Sequence, residues 1–364
     1  MVSPLTPYLK TLTDPHSSLN EGDIRTCLHI IFTNDISPVQ VSAFLIGLRA
    51  RGLDRDPQVI AAAVSAMKEF SLSVNVESNG YVDIVGTGGD GKDTFNVSTT
   101  SGLVCAGMGL RICKHGNRAA TSSSGAADVL ASLGCSVQSV TSFTAPQVLR
   151  DSPFCFLFAP VYHPIMGKIA PIRKALGVPT IFNCLGPLLN PAPISSRIIG
   201  VNTPDLGPIF AQSIILLDKK AGTTSSSMVV WGEEGLDEIS PAGTTRIWRV
   251  LPGSEEIVES VISPADFGLS THPLEDVASG TPEENSEMVR KLVGGELPEG
   301  HPILDYVLLN AGALSVVAGK AKDWKEGVEL ARKSINEGGA KKALEAFVSA
   351  TAKASATIEA SEAS

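Results

Sequence analysis

Two glycine-rich loops, close together in the chain, constrain this sequence more than anything else in it. The first reads Gly86-Thr-Gly-Gly-Asp-Gly-Lys-Asp-Thr-Phe-Asn-Val-Ser-Thr99. The second reads Lys114-His-Gly-Asn-Arg-Ala-Ala-Thr-Ser-Ser-Ser-Gly125. Each follows a short β-like run and precedes an apolar, Ala-rich helical run. Loops at the ends of neighbouring strands face each other across one cleft. Both are rich in backbone N–H groups and hydroxyls, the groups that bind phosphate. The pair suits a ligand with two phosphate ends.

The rest of the chain limits how such a ligand is held. Its 364 residues, 43% of them hydrophobic, are enough for a large domain plus a smaller one. A formal net charge of −9 argues against nucleic acid as a partner. Phosphate must then be held by local donors or a metal rather than by a basic surface. No apolar run has the length of a membrane span. Met1-Val-Ser-Pro-Leu-Thr-Pro lacks the basic-then-apolar order of a signal peptide. Cys27, Cys105, Cys113, Cys135, Cys155 and Cys184 show no C-x-x-C spacing and read as reduced thiols of a cytoplasmic protein.

Residues 1–75 read as a small helical domain. Asp23 to Phe32 is one helix. Ser37 with Pro38 starts a second, with Val41, Phe44, Leu45 and Leu48 on its apolar face. Asp56-Pro57 starts a third that runs to about Phe70. From 76 to 345 strands alternate with helices. Val82–Val85, Leu110–Cys113, Phe156–Phe158, Ile198–Val201, Ser227–Val230 and Thr245–Val250 are the expected strands. That alternation implies an α/β domain with a mostly parallel central sheet flanked by helices. Residues 252–300, rich in Pro, Gly and Glu, read as a surface excursion with some helix. A late helix begins near Asp323 and breaks at Gly338-Gly339. The low-complexity tail, 346–364, is expected to fray.

Gly86, Gly88 and Gly91 match the G-x-G-x-x-G spacing of a dinucleotide site. Two details count against that reading. Lys-Asp-Thr-Phe-Asn separates the glycines from the helix, and Lys114-His115 stands where an acidic residue should follow. No G-K-[ST] makes it a Walker loop. In the second loop Lys114, His115 and Arg118 stand beside Gly116, and Thr121 to Ser124 supply hydroxyls before a helix start. A solvated polar turn with a Ser cap is the plainer alternative. Asp237-Glu238, flanked by Leu236 and Ile239, could be a surface pair. In a phosphate-binding acidic protein it fits Mg²⁺, which takes one or two carboxylates plus substrate oxygens and waters, with Ser98 as a third ligand. Arg173 could pair with a carboxylate or be an exposed helix cation.

Taken together, these motifs resemble the anthranilate phosphoribosyltransferase family. The resemblance is carried by the first loop, Lys114-His-Gly-Asn-Arg118, Tyr162-His-Pro164, Phe182-Asn-Cys-Leu-Gly-Pro-Leu-Leu-Asn-Pro191, Leu236-Asp-Glu-Ile-Ser240 and Leu308-Leu-Asn-Ala-Gly312, in order over roughly residues 20–345. It implies transfer of phosphoribose from phosphoribosyl pyrophosphate to the amine of anthranilate, in tryptophan biosynthesis. It also implies Mg²⁺ dependence with two ions per site, hinge segments around 163–195, and a homodimer formed through the helical domains. By position, the resemblance puts Gly86, Gly89, Asp90, Thr94, Asn96, Ser98 and Thr99 on the sugar and phosphates, with Lys114 and Ser122 across the cleft. Ser98, Asp237 and Glu238 would hold the metal. Gly86, His115, Asn117, His163 and Arg173 would line the anthranilate path, with His115, Asn117 and Arg173 as catalytic candidates. Ala126 stands where the family pattern has Ser, and Ser123 where many relatives carry Lys. The rival readings are a pyrimidine nucleoside phosphorylase, which would use free phosphate, and a non-catalytic phosphoribosyl-binding protein.

Overall fold

The computed structural model describes residues 3–76, 80–119 and 122–362. Four helices come first: α1 (Thr6–Thr13), α2 (Glu21–Thr33), α3 (Pro38–Ala50) and α4 (Pro57–Glu69). Their start signals are local. Asn20 and Asp23 form a reciprocal capping box on α2, and Asp56 accepts from the N–H groups of Gln58 and Val59 at the head of α4. Ser37 precedes α3 as expected, but its side chain makes no capping hydrogen bond. Pro38 alone marks that start.

The α/β part follows as β1 (Tyr81–Gly86), α5 (Val97–Gly107), β2 (Ile112–Gly116), α6 (Ala126–Ser132), α7 (Ala145–Asp151), β3 (Phe154–Phe158), α8 (Ala159–Tyr162), α9 (Met166–Leu176) and α10 (Phe182–Leu185). It continues with β4 (Ile194–Gly200), α11 (Leu206–Ala221), β5 (Ser226–Gly232), β6 (Thr245–Val250), β7 (Ile257–Ile262), α12 (Pro282–Val293), α13 (Pro302–Val317), α14 (Trp324–Asn336) and α15 (Gly339–Glu362). The seven strands form one sheet in the order β3-β2-β1-β4-β5-β6-β7. β1 to β5 are parallel, and β6 and β7 return antiparallel. From β1 the chain builds outward through β2 and β3, then crosses back to lay β4 on the other side. β1 and β4 therefore flank the point where the strand order reverses, and a ligand crevice opens beyond their carboxyl ends.

Two apolar cores lie on either side of this frame. One joins β1–β3 to α5, α13, α14 and α15. The other joins the four leading helices to α10, α11 and residues of β4 and β5, so the helical lobe shares its core with one face of the sheet. Ile169, Ile181 and Phe182, from the stretch after β3, belong to this second core.

Two expectations fail. β7 falls inside the stretch read as a surface excursion. Its sequence, Ile257-Val-Glu-Ser-Val-Ile262, breaks the alternation that marks a half-buried strand, because as an edge strand it leaves most of its side chains exposed. The tail does not fray either. α15 runs from Gly339 to Glu362, with Ala340, Ala343, Phe347, Ala350, Thr351 and Ala354 buried at three- and four-residue spacing. The same low complexity that suggested fraying is rich in Ala, the best helix former.

Phe347 is fully buried and meets the Phe154 ring edge-on, with centroids 5.1 Å apart. Phe347→Ala is expected to cost about 3–5 kcal/mol in urea unfolding. A cost below about 1 kcal/mol would return the tail to the frayed reading.

Candidate active site

Both glycine-rich loops lead out of strand ends at the crevice. Gly86 closes β1 and pairs in register with Gly200, the last residue of β4. Across these two glycines runs the main chain of Asp237. A Cβ at Gly200 would lie 1.5 Å from the Asp237 carbonyl oxygen, and one at Gly86 2.3 Å from Asp237 Oδ2. At Gly200 the clash is with main chain and no other residue fits; at Gly86 a side chain would displace the Asp237 carboxylate. The Gly88 N–H donates to Asp237 Oδ2 at 2.6 Å, and Asn202 donates to the Gly88 carbonyl at 2.9 Å. Gly88, Gly89 and Gly91 all take positive φ, which the turn requires. Asp93 also adopts positive φ, and its carboxylate accepts from both the N–H (2.8 Å) and the hydroxyl (2.5 Å) of Ser123. Asn96 donates to the Ser124 carbonyl at 2.9 Å. The two loops are thus bonded to each other as well as facing each other.

Electrostatics focus on the floor of this cleft. Lys114, in the middle of β2, is buried and donates to the Ile84 carbonyl and to Ser98 Oγ (3.2 Å). Burial pulls its ammonium down from the usual range, and Asp83, Glu238 and Asp237 work against that. Burial and the neighbouring Asp90 push the Asp237 carboxyl up to about 7. Glu238, partly open to the cleft, is pushed up by the same enclosure and by Asp237, while a hydrogen bond from Ser98 works against this. Carboxylates crowded in this way lack positive charge. The donors are hard oxygens, and among the described residues no three His, Cys, Asp or Glu side chains close around one point. An open all-oxygen half-shell of this kind suits Mg²⁺ completed by substrate oxygens and water, and does not suit a metal that needs a protein cage.

The cleft encloses about 780 Å³, lined by both loops, by Asp237 and Glu238, by Asn202 and Thr203 after β4, and by Arg49, Asp54, Arg55, Thr180 and Asn183 from the helical side. Residues 78–341 match the family model described as glycosyl transferase family, a/b domain, and residues 6–71 match that family's helical bundle domain. An anthranilate phosphoribosyltransferase of Schizosaccharomyces pombe is 47% identical over 323 residues, 88% of this chain and 89% of that protein. The chain belongs to the anthranilate phosphoribosyltransferase family. A second relative of that name, from Saccharomyces cerevisiae, is 38% identical over 373 residues, 94% of this chain and 97% of its own. The yeast enzyme's structure in complex with PRPP and Mg superposes with a TM-score of 0.90 at 37% identity, over 97% of this chain and 99% of that one.

Most sequence-derived candidates line the cleft: Gly86, Gly89, Asp90, Thr94, Asn96, Ser98, Thr99, Lys114, His115, Asn117, Ser122, Asp237 and Glu238. Thr99 is buried with its hydroxyl unpaired, and so is Ser124. Thr121 lies outside the described residues. Ser123 is tied to Asp93. Asn96 is less free than its candidacy implied, because its amide also accepts from Asn285 at 2.8 Å.

His163 and Arg173 stand behind the wall rather than in it. His163 Nε2 is 3.1 Å from His115 Nε2, and His163 Nδ1 is 2.7 Å from Ser71 Oγ at the end of α4. Arg173 donates to Asn183 Oδ1 at 3.3 Å, and it is Asn183 that lines the cleft. Asn183, Asn202, Arg49 and Arg55 escaped the sequence reading. Asn183 sits in the Phe-Asn-Cys-Leu-Gly-Pro motif, which was a local signal. The two arginines sit on ordinary helical surface and gave none.

Burial lowers the imidazole of His115 to about 3 and that of His163 to about 4, from the usual 6.5. Both are neutral at pH 7. Below pH 6.5 the unfolded chain takes up protons that the folded pair refuses, so folding stability falls as the pH drops from 6.5 toward 4. Each imidazole contributes about 1.4 kcal/mol per pH unit to that fall. In His163→Asn the loss of unfolding free energy between pH 7.5 and 5.5 is expected to be smaller by about that amount. An undiminished loss would mean that His163 charges freely in the folded protein.

Proposed function

We propose that this chain transfers the 5-phosphoribosyl group of phosphoribosyl pyrophosphate to anthranilate, a step of tryptophan biosynthesis. The observation that carries this reading is the union of two phosphate-binding loops with a carboxylate pair on one cleft floor. On this reading the amides and hydroxyls of Gly86–Thr99 cradle the ribose and its phosphates, with Lys114 and Ser122 opposite. Ser98, Asp237 and Glu238 hold Mg²⁺, two ions per site, and the metal neutralises the charge on pyrophosphate as the C1–O bond breaks toward an oxocarbenium-like sugar.

The amine of anthranilate is neutral and nucleophilic at pH 7, so the residues need supply little acid–base chemistry. Their work is to hold the two substrates in line and to balance charge. Neutral His115 and Asn117 flank the path of the acceptor. Asn183, whose Oδ1 takes the Arg173 guanidinium, offers its amide to the acceptor's carboxylate, and Arg173 supplies positive charge from behind the wall. Residues 1–75 form the helical domain, the segment 163–195 joins it to the 76–345 domain, and two chains associate through their helical domains. A cytoplasmic setting suits the buried free thiols. Among the described residues no helix is long and apolar enough to cross a membrane.

Anthranilate fluorescence tests the reaction. It should fall when the protein, phosphoribosyl pyrophosphate and Mg²⁺ are mixed, and should hold steady with EDTA. No fall in either sample would move the assignment to a phosphate-dependent phosphorylase or a binding protein. Arg173→Ala and Asn183→Ala should each raise the anthranilate KM about tenfold, the loss of about 1.4 kcal/mol of binding, with kcat changed less than twofold. A defect confined to kcat would remove the carboxylate role.

A further inference from the structure

The Leu308-Leu-Asn-Ala-Gly312 motif has no part in the cleft, yet it contains a fully buried amide. α13 is buried along almost its whole length, and Asn310 lies in it with no exposed surface. An amide in such a place must satisfy its donors and acceptors inside the protein. Asn310 Nδ2 donates to the Tyr306 carbonyl at 3.1 Å and to the Ile239 carbonyl at 3.2 Å. Its Oδ1 accepts from the Ile239 N–H, also at 3.2 Å. One side chain therefore takes both main-chain groups of a single residue, as a neighbouring strand would. That residue is the one directly after Glu238.

On the other side, Asp237 is held by the glycine slot of β1 and β4 and by the Gly88 N–H. Beyond Ile239, the Ser240 N–H donates to Thr245 Oγ1 at 2.9 Å. Between these anchors, Asn310 fixes the backbone that aims the Glu238 carboxylate at Ser98. We infer that Asn310 is a positioning residue for the metal: it acts through the Ile239 main chain to set the direction of Glu238 and so the affinity of the site for a divalent cation. The inference rests on the assignment of Asp237 and Glu238 to the metal. Groups that orient metal ligands from behind typically change metal affinity 10–100-fold when removed.

The test uses Mn²⁺ as the probe. It is titrated by electron paramagnetic resonance against the full chain in the presence of pyrophosphate, alongside the Mg²⁺ dependence of turnover. Asn310→Asp keeps the size and one acceptor but loses both donated bonds. It should weaken Mn²⁺ binding and raise the Mg²⁺ requirement by on the order of tenfold, while the anthranilate KM stays within twofold. If that variant does not fold, Asn310→Ser, which adds no charge to the core, is read by the same titrations. Unchanged Mn²⁺ affinity in a folded variant, or a loss seen only in melting temperature, would overturn the proposal. The double variant Asp237→Asn, Glu238→Gln separates the two levels. If it loses Mn²⁺ while the Asn310 variants keep it, the positioning role alone fails. If it binds Mn²⁺ as the parent does, the metal assignment beneath the proposal fails.

Discussion

Everything at the site follows from how closely one stretch of main chain crosses two strand ends. Gly86 and Gly200 are register partners at the reversal point of the sheet, and their missing side chains leave a slot. Asp237 fills it, with its backbone over Gly200 and its carboxylate over Gly86. This brings residues 149 positions apart in the sequence to one place. The carboxylate pair arrives on the loop after β5, and the amide-rich turn arrives directly from β1. The Gly88 N–H to Asp237 bond then joins the two. The amide-rich turn and the acidic floor are thereby bonded into one unit.

That unit also explains how an acidic protein can hold a polyanion. A net charge of −9 offers no general attraction to phosphate. Locally, Asp90 disfavours the charge of Asp237 and Glu238, and Asp237 that of Glu238, with Lys114 between Ser98 and the Ile84 carbonyl as the buried counterweight. Lys114 is itself backed by Asp83, whose carboxylate takes the Asn190 amide at 2.8 Å. The same Asn190 amide donates to the Cys113 carbonyl and so bridges β1 and β2 beneath the cleft. On the proposed reading, a divalent cation turns this repulsive floor into an attractive one, and affinity for pyrophosphate comes with the metal rather than from the protein's field.

The sequence carried the parts of this arrangement whose chemistry is local. Consecutive glycines need positive φ wherever they lie, and a cation beside them keeps its meaning out of context, so both loops and Lys114 were readable. The acidic pair was readable only beside those loops. What escaped depends on contacts distant in sequence. Nothing near Asn310 says that it grips Ile239, and nothing near Arg173 says that Asn183 stands between it and the cleft. His163 was placed on the acceptor's path by resemblance, whereas its ring lies against His115 and Ser71. α15 shows the opposite fault. Its Ala-rich composition was weighed, but the spacing of Phe347, Ala350 and Ala354, which brings them to one buried face, was not.

The chain from Ser71 through His163 to His115 crosses from the end of α4 to the end of β2, and the Leu72 N–H donates to the Tyr162 carbonyl at 2.9 Å beside it. The helical lobe is therefore joined to the sheet lobe at the cleft by directional bonds as well as by apolar packing. A direct contact between two Nε2 atoms needs a hydrogen on one and a lone pair on the other, so both rings cannot be doubly protonated. Burial enforces the same condition by keeping both imidazoles neutral well below pH 7. The join stays uncharged at neutral pH, and this side of the cleft gains a wall held by directional bonds without adding a cation to those that Lys114, Arg49 and Arg55 already bring to the lining.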